Sequence, residues 1–306
     1  MEINTEHPLV SVAVIAYNSE KYILETLDSV KEQTYDNIEL VISDDCSTDN
    51  TVKICRQWAS QNAQRFSNIQ IIQSPVNTGQ SGNYNRAFDA CTGEWIKEID
   101  GDDKLLPNCI TDYINYTRAH PDAMCIFGKM IFIGAGLSES TSSLCEYSFF
   151  TLSPKEQLHK LIYESNFIPS PTAFHNKENL TRIGFRHDER IPLMEDYPKW
   201  IKLLQLGVKY HFINTNVVAY RVGNGISTQK IYSPTFYRSI ILCNLYYRYP
   251  AMLNDNTERG INIIADDICE LYKYQIETEK IRNSHAYRLG KTLLRPINLV
   301  RGILHK

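Results

Sequence analysis

The chain has 306 residues, which is enough for one large domain or two modest ones with a proper hydrophobic core. Its net charge of −3 argues against a protein that binds nucleic acid by bulk electrostatic attraction, so we expect no nucleic-acid partner. No apolar run reaches the roughly 18 residues needed to span a bilayer, and the N-terminus is too polar for a secretion signal. These features favour a cytosolic protein.

Strand-length apolar runs alternate with helix-period segments over residues 9 to 133. The predicted strands are 9–17, 38–42, 69–73, 94–99 and 123–134, and the predicted helices are one capped by Ser19, one over 51–61, one over 81–91 and one from Pro107 to His120. Alternation of this kind implies right-handed crossovers and helices on both faces of the sheet. The sequence therefore predicts an α/β protein with a Rossmann-like, mixed but mainly parallel sheet.

After residue 135 helical patterns replace the alternation. Helices are predicted over 153–165 and from Tyr197 to a C-cap at Gly207, and the segment 168–176 is irregular before it enters a strand. The pattern from about residue 231 onward is helical throughout. We therefore expect a main domain over residues 1–230 and a helical C-terminal region over residues 231–306.

Clusters of carboxylates follow two of the predicted strands. Asp44 and Asp45 close the second strand, and Asp100, Asp102 and Asp103 follow the fourth. If these strands are parallel, both clusters lie along the edge where open α/β sheets bind ligands. Carboxylates this close repel one another unless a cation lies among them, and Asp-x-Asp suits Mg²⁺ or Mn²⁺ shared with phosphate oxygens. The pattern predicts a nucleotide bound through its diphosphate.

The alternative interpretation takes each cluster separately, as helix-capping and turn residues. It accounts well for either cluster alone. It does not account for two clusters at matching strand ends of one alternating fold, so we favour the metal-and-diphosphate interpretation.

Six segments, taken in order, resemble the inverting family 2 glycosyltransferases, whose fold is the GT-A nucleotide-sugar fold. They are VSVAVIAYN, ISDDCSTD, NTGQSGNYNRAFDACTGEWI, DGDD, MEDYPKW and YRVGNGIS. The resemblance covers about residues 8 to 230. It implies a nucleotide-sugar-binding and catalytic domain over residues 1–230.

The resemblance also implies where the donor binds. The backbone at Ile15 and the ring of Tyr17 match positions that hold uracil and ribose, and Asp45 matches the carboxylate that accepts the uracil N3–H. Asp100 matches a position near the ribose. Asn77 begins the N-x-G segment and is expected to contribute to the donor site.

Asp102 matches the residue that binds the metal, Mn²⁺ or Mg²⁺, in this family. Asp196 matches the catalytic base, which would take a proton from the acceptor hydroxyl as its oxygen attacks the anomeric carbon. Glu195 is expected to hydrogen-bond the acceptor or to orient the loop.

Two positions depart from the family pattern. Tyr84 stands where many members have an arginine, and Arg86 is the candidate to replace its contact with the diphosphate. The segment RVGNG lacks a histidine that many members have there, so Asn224 or a water must complete the metal shell. Arg221 and Ser227 are candidate phosphate contacts, with a packing or turn role equally open.

The C-terminal end of the chain is basic and amphipathic. After Glu279 it contains seven Lys or Arg residues and no acid. Such a segment binds an anionic membrane surface, each basic residue contributing about 1 kcal/mol near the lipid. We expect peripheral association with the inner face of the cytoplasmic membrane, although a helix docked on the catalytic domain or a dimer interface fits the same pattern.

These features predict a metal-dependent inverting glycosyltransferase. It would move a hexose, glucose or galactose, from a UDP-sugar donor to a lipid-diphosphate-linked saccharide acceptor and form a β-linkage, as in bacterial O-antigen synthesis. Two alternatives remain at this point: a nucleotidyltransferase on a related α/β fold, and a non-catalytic nucleotide-sugar-binding protein. The sequence does not distinguish oligomeric states.

Overall fold

The computed structural model describes residues 7–134, 140–142, 147–164, 166–223 and 233–284. The chain divides into two compact units, Met1–Ala251 and Met252–Lys306. The functional division predicted between residues 230 and 231 stays a prediction.

The structure alternates strands and helices at first and then becomes mainly helical. In chain order the elements are β1 (Val10–Ala16), α1 (Ile23–Lys31), β2 (Ile38–Asp44), α2 (Thr51–Asn62), β3 (Asn68–Gln73), α3 (Gly79–Ala90), β4 (Trp95–Asp100), β5 (Lys104–Leu105), α4 (Cys109–Ala119), β6 (Cys125–Ile133), β7 (Ser140–Ser142), α5 (Tyr147–Thr151), α6 (Pro154–Glu164), β8 (Phe174–Asn176), α7 (Lys177–Arg182), α8 (Asp196–Gln205), β9 (Tyr210–Arg221), α9 (Pro234–Cys243), a π-helical segment (Asn244–Arg248), α10 (Tyr249–Asp255) and α11 (Glu258–Asn283).

The strands form one mixed sheet in the order β3-β2-β1-β4-β8-β6-β9-β5, with β7 paired to β6. The first four strands of that order are parallel, as are β6 and β9. Strand β8 is antiparallel to both β4 and β6, and it joins the parallel half to the rest. The predicted mixed α/β sheet is confirmed.

Strands β1 and β2 lie at the centre of the parallel half, and every residue in both is buried. This explains their near-continuous apolar sequence, because a strand covered on both faces has no solvent side to alternate with. The antiparallel strand β8 has only three residues, and the sequence pattern predicted a strand there without its direction.

Helix α1 packs on this sheet through Ile23, Leu27 and Val30, all fully buried, as the predicted spacing requires. The prediction that Ser19 caps this helix is wrong, because the helix begins at Ile23. The Ser19 carbonyl instead accepts the Tyr22 and Ile23 backbone N–H groups at 2.9 Å, forming a turn before the helix.

Helix α8 ends at Gln205 with Leu206 as its C-cap, so the predicted C-cap at Gly207 is one residue late, and Gly207 follows the cap. Gly207 has φ +81°, a left-handed conformation that suits glycine, and its N–H donates to the Leu204 carbonyl at 3.0 Å. The helix itself begins one residue earlier than predicted, at Asp196. That residue is the candidate base, so the helix start fixes its position.

Two leucines on α1 provide a matched test of this packing. Leu27 is 0% exposed and Leu24 is 49% exposed. We expect Leu27→Ala to lower the free energy of unfolding by about 2–5 kcal/mol, because it removes core contacts and leaves a cavity. Leu24→Ala should change it by no more than about 0.5 kcal/mol. Urea unfolding of both variants measures the difference, and equal effects would contradict the assignment of the buried face.

Candidate active site

The ends of β1, β2 and β4 lie side by side at one edge of the sheet. Ile15 is in register with both Ser43 and Asp100. Beyond the paired residues, the Asp45 N–H donates to the Ala16 carbonyl at 3.0 Å, and the Gly101 N–H donates to the Ile15 carbonyl at 2.8 Å. The two carboxylate clusters therefore meet at one edge of the sheet, where open α/β sheets bind ligands.

Asp44 of the first cluster and Asp49, five positions later, have local structural roles. Asp44 accepts hydrogen bonds from the backbone N–H and the hydroxyl of Ser47. Asp49 accepts the Thr51 N–H at 2.9 Å, at the start of α2. For these two residues the turn-and-capping interpretation describes what the structure shows.

Asp45 connects the end of β2 to the start of α3. Its buried carboxylate accepts the Thr78 N–H at 3.0 Å, the Thr78 hydroxyl at 2.6 Å and the Gly79 N–H at 2.8 Å. The Arg86 guanidinium lies 3.3 Å away. Protein donors thus already surround this carboxylate, and its contact with uracil stays a prediction.

Arg86 and Asn77 belong to the same local network. Arg86 donates to the Thr78 hydroxyl at 2.8 Å and to the Asn83 side-chain oxygen at 2.9 Å, so its guanidinium is held against Asp45. Asn77 is exposed, and its side-chain oxygen accepts the Gly79 N–H at 3.1 Å. Their contacts with the donor, including the one between Arg86 and the diphosphate, stay predictions.

Directly after β1, Tyr17 is 50% exposed, whereas Ile15 is buried within the strand. An exposed aromatic ring next to backbone groups at a sheet edge provides a flat apolar surface for a base. This placement is compatible with the predicted uridine site.

Tyr84 contacts the second carboxylate cluster. Its buried hydroxyl donates to Asp100 at 3.0 Å. Burial raises the pKa of Asp100 to about 7, and repulsion from Asp102 adds to the rise, while the Tyr84 hydrogen bond opposes it. The residue that replaces the family's arginine therefore holds the carboxylate at the end of β4.

Asp103 is buried beneath the turn that follows β4. One carboxylate oxygen accepts the Arg221 N–H at 2.7 Å, and the other has no hydrogen-bond partner among the described residues. Burial, with repulsion from Asp102 and Asp100, raises the pKa of Asp103 well above its usual range. The ionised form of this buried carboxylate is therefore unfavourable unless a positive charge lies nearby.

Arg221, at the end of β9, stabilises this turn through hydrogen bonds. Its Nε donates to the Asp102 carbonyl at 2.8 Å, and its Nη2 donates to Glu25 at 2.9 Å. Burial raises the pKa of Asp102, and the Arg221 charge opposes that rise. The guanidinium is thus already engaged by the protein, and its contact with a phosphate stays a prediction.

The site has few protein ligands for a metal. Within the described ranges, no group of three or more His, Cys, Asp or Glu side chains is placed to hold an ion. The partly exposed Asp102 fits Mg²⁺ or Mn²⁺ nonetheless, since these ions commonly take one or two carboxylates and complete their shell with water and substrate phosphates. Asn224 and Ser227 lie outside the described residues.

Asp196 and Glu195 lie at the start of α8. One Asp196 carboxylate oxygen accepts the Tyr197 N–H at 2.7 Å, and the other accepts the Asn166 side-chain N–H at 2.8 Å. Burial raises the pKa of Asp196, and the Asn166 hydrogen bond opposes the rise. Burial, followed by repulsion from Asp196 and Asp100, raises the pKa of Glu195 well above its usual range. The start of α8 lies close to the end of β4, since the Lys199 Nζ on α8 is 2.7 Å from a Glu98 carboxylate oxygen on β4.

The sequence model of glycosyl transferase family 2 matches residues 11–179, which is more than half of the chain. The chain belongs to glycosyl transferase family 2. This result confirms the predicted enzyme class and speaks against the nucleotidyltransferase alternative.

Comparison with individual glycosyltransferases agrees with this assignment. The Escherichia coli enzyme named UDP-Glc:alpha-D-GlcNAc-diphosphoundecaprenol beta-1,3-glucosyltransferase WfaP is 28% identical over 219 residues, which are 71% of this chain and 78% of that protein. The crystal structure of S. aureus TarS 1–349 in complex with UDP-GlcNAc matches with a TM-score of 0.63 and 22% identity, over 82% of this chain and 68% of that one.

A second structural match is the mannosyltransferase PcManGT from Pyrobaculum calidifontis in complex with GDP-Man and Mn²⁺. Its TM-score is 0.55 at 17% identity, over 94% of this chain and 84% of that one. These structural matches confirm the predicted GT-A fold.

Sequence reasoning missed two contacts in the site of this glycosyltransferase. Tyr84 stood out only as a departure from the family pattern, and its bond to Asp100 depends on how α3 packs on the sheet. Asn166 lies in an irregular segment 30 positions before Asp196, where no local pattern marks it as a partner. Both contacts depend on tertiary structure.

The raised pKa of Asp196 predicts a pH dependence of stability. The folded state keeps a proton that the unfolded chain has released, so the free energy of unfolding falls as pH rises from about 4 toward the raised folded pKa. Asp196→Asn removes this titration. We expect urea unfolding to show a larger loss of stability from pH 5 to pH 8 in the wild type than in Asp196→Asn.

The control is Asp89→Asn, whose exposed carboxylate contacts Arg186 at the surface. It should follow the wild-type pH dependence, since exposed ion pairs contribute little to stability. Parallel pH curves for the wild type and Asp196→Asn would contradict the raised pKa.

Proposed function

We propose that the protein is a metal-dependent inverting glycosyltransferase that moves a hexose from a UDP-sugar to a lipid-linked saccharide acceptor. One observation supports the proposal: the 2.7 Å contact between Lys199 and Glu98 brings the start of α8, which carries the candidate base Asp196, to the acidic end of β4 that would hold the donor. A donor diphosphate and an acceptor hydroxyl bound at this edge would meet between the two elements.

The uridine would bind along the ends of β1 and β2. Tyr17 is exposed directly after β1, two positions from the Ile15 backbone. Asp45, after β2, and Asn77, before α3, would complete the uridine site. Asp100 would contact the ribose. Relatives support a UDP-sugar, since WfaP is named for UDP-Glc and TarS was crystallised with UDP-GlcNAc. We propose glucose or galactose as the transferred sugar.

Asp102 would hold Mn²⁺ or Mg²⁺ together with the donor diphosphate. A bound divalent ion stabilises the negative charge that develops on the leaving diphosphate. It would also relieve the repulsion that the carboxylates after β4 exert on one another. Arg86 and Arg221 would contact the phosphates after rearranging their present bonds to Asp45 and Glu25.

Asp196 would act as the base. Its raised pKa makes it a better proton acceptor than an ordinary aspartate, and the two hydrogen bonds to its carboxylate fix its direction. Attack by the deprotonated hydroxyl in a single displacement inverts the anomeric centre, so an α-linked donor gives a β-linkage. Glu195 would bind the acceptor or orient this loop.

The acceptor would be a saccharide on a lipid diphosphate, used in bacterial surface polysaccharide synthesis of the O-antigen type. The name of WfaP supports this, as it specifies a GlcNAc-diphosphoundecaprenol acceptor. No helix in the described part of the chain is long and apolar enough to cross a bilayer. We propose a cytoplasmic enzyme held peripherally on the inner face of the membrane by its basic C-terminal end, whose residues 285–306 lie outside the described ranges.

A transfer assay tests the proposal. With UDP-glucose or UDP-galactose, Mn²⁺ and lipid-diphosphate-linked GlcNAc, the wild type should release UDP and form a disaccharide product. Asp196→Asn should lower kcat by about 10²–10⁴-fold, because the positioned base is lost, while UDP binding is retained. The control Asp89→Asn should keep wild-type rates. Full activity of Asp196→Asn would refute the base assignment.

Asp102→Asn tests the metal site separately. We expect it to weaken Mn²⁺-dependent UDP binding at least tenfold and to abolish transfer, since one direct ligand to the ion is lost. Chelation of the metal should have the same effect on the wild type. Transfer that persists in excess chelator would contradict metal dependence.

A further inference from the structure

A buried ion pair joins the strand that carries Asp100 to the helix that carries Asp196. The Lys199 Nζ lies 2.7 Å from a Glu98 carboxylate oxygen, and the two side chains are only 2% and 9% exposed. Glu98 precedes Asp100 by two positions in β4, so both side chains lie on the same face of the sheet. Lys199 follows Asp196 by three positions on α8, so these two share a helix face.

Two buried histidines complete the surroundings of Glu98. The His175 Nε2, on β8, lies 3.6 Å from one carboxylate oxygen, and the His187 Nε2 lies 3.9 Å from the other. Neither Nε2 has a hydrogen-bond partner among the described residues. The His187 Nδ1 lies 3.2 Å from the Glu195 carbonyl, so this ring links the network to the residue before the candidate base.

This pair is not explained by stability alone. A buried ion pair usually contributes no more to stability than well-packed apolar side chains of the same volume, because both charges lose their hydration. Its place in the molecule is informative, since it lies one helical turn from Asp196 and two residues from Asp100. A fixed positive charge at that point attracts the negative charge of the carboxylates in the site.

The pKa directions of the surrounding carboxylates agree with an effect of the Lys199 charge on the site. Burial raises the pKa of both Asp196 and Glu195, and the Lys199 charge lowers both. Burial would also raise the pKa of Glu98, but Lys199 and the two histidines hold it well below its usual range. Asp196 interacts with Glu195, Tyr197 and Lys199 of its own segment, with Asn166, and with Cys243 on α9. Its neighbour Glu195 interacts with Asp100, Tyr84 and His187, and Glu98 is surrounded by Lys199, His175 and His187.

We propose that Glu98 and Lys199 are positioning residues for the candidate base: their ion pair fixes the first turn of α8 against β4 and places a positive charge one helical turn from Asp196. Glu98 holds Lys199 in place and partly neutralises it. The proposal rests on the proposed function only in naming Asp196 the base. The two charges of the pair should act on Asp196 in opposite directions.

Nuclear magnetic resonance of protein labelled with ¹³C at the aspartate carboxyl carbons tests this directly. The Asp196 signal is the one missing from the spectrum of Asp196→Asn, and its titration midpoint is read without any substrate. We expect Lys199→Gln to raise this midpoint by about one pH unit, tenfold in proton affinity, because a nearby positive charge is removed. Glu98→Gln should lower it by a similar amount, since Lys199 is then no longer neutralised.

The double variant Glu98→Gln/Lys199→Gln should return the midpoint close to the wild-type value, and Lys199→Arg should keep it there. If Lys199→Gln alone does not fold, adding it to Glu98→Gln isolates the lysine charge and should raise the midpoint by about one unit. Shifts in the same direction for both single variants, or no shift in either, would overturn the proposal.

The same variants separate this proposal from the proposed function. In the transfer assay, the acid limb of the kcat–pH profile should move with the Asp196 midpoint in each variant. Opposite midpoint shifts without any UDP-sugar turnover in the wild type would refute the proposed function and leave the charge effect standing. Turnover whose acid limb stays fixed while the midpoint moves would overturn the link between the pair and the base.

Discussion

Repulsion among buried carboxylates is the constraint on which the rest of this site depends. Asp100 ends β4, Asp102 and Asp103 follow it, and Glu195 and Asp196 lie close by at the start of α8. Burial raises the pKa of each, and repulsion adds to the rise for Asp100, Asp103 and Glu195. The proposed divalent ion, bound with a nucleotide diphosphate, would neutralise this cluster.

Side chains around the cluster stabilise the carboxylates or the turn that carries them. Tyr84 donates to Asp100, Arg221 braces the acidic turn, and Asn166 donates to Asp196. At the neighbouring strand end the charge of Asp45 is met differently, by the start of α3 and by Arg86. After β2, protein donors therefore surround the Asp45 carboxylate. After β4, one carboxylate oxygen of Asp103 has no hydrogen-bond partner among the described residues.

Local pattern was enough to predict the parallel half of the sheet and the meeting of strand ends at one edge. Buried strands such as β1 are apolar along their whole length, and Asp45 and Asp100 come directly at the ends of such runs. Contacts between distant segments could not be predicted, because nothing in the sequence near Asn166 or Glu98 points to a partner on α8. The direction of β8 was not predicted, and the predicted cap of α1 at Ser19 was wrong, since packing decides both.

We propose that this carboxylate edge binds a uridine diphosphate through a divalent ion. Calorimetric titration of UDP, with GDP as the competing nucleotide, in the presence and absence of Mn²⁺ tests this proposal. We expect UDP binding that requires Mn²⁺ and at least tenfold weaker binding of GDP, since the base site and the metal site must both be satisfied. Equal binding of UDP with and without the metal, or no binding under either condition, would contradict it.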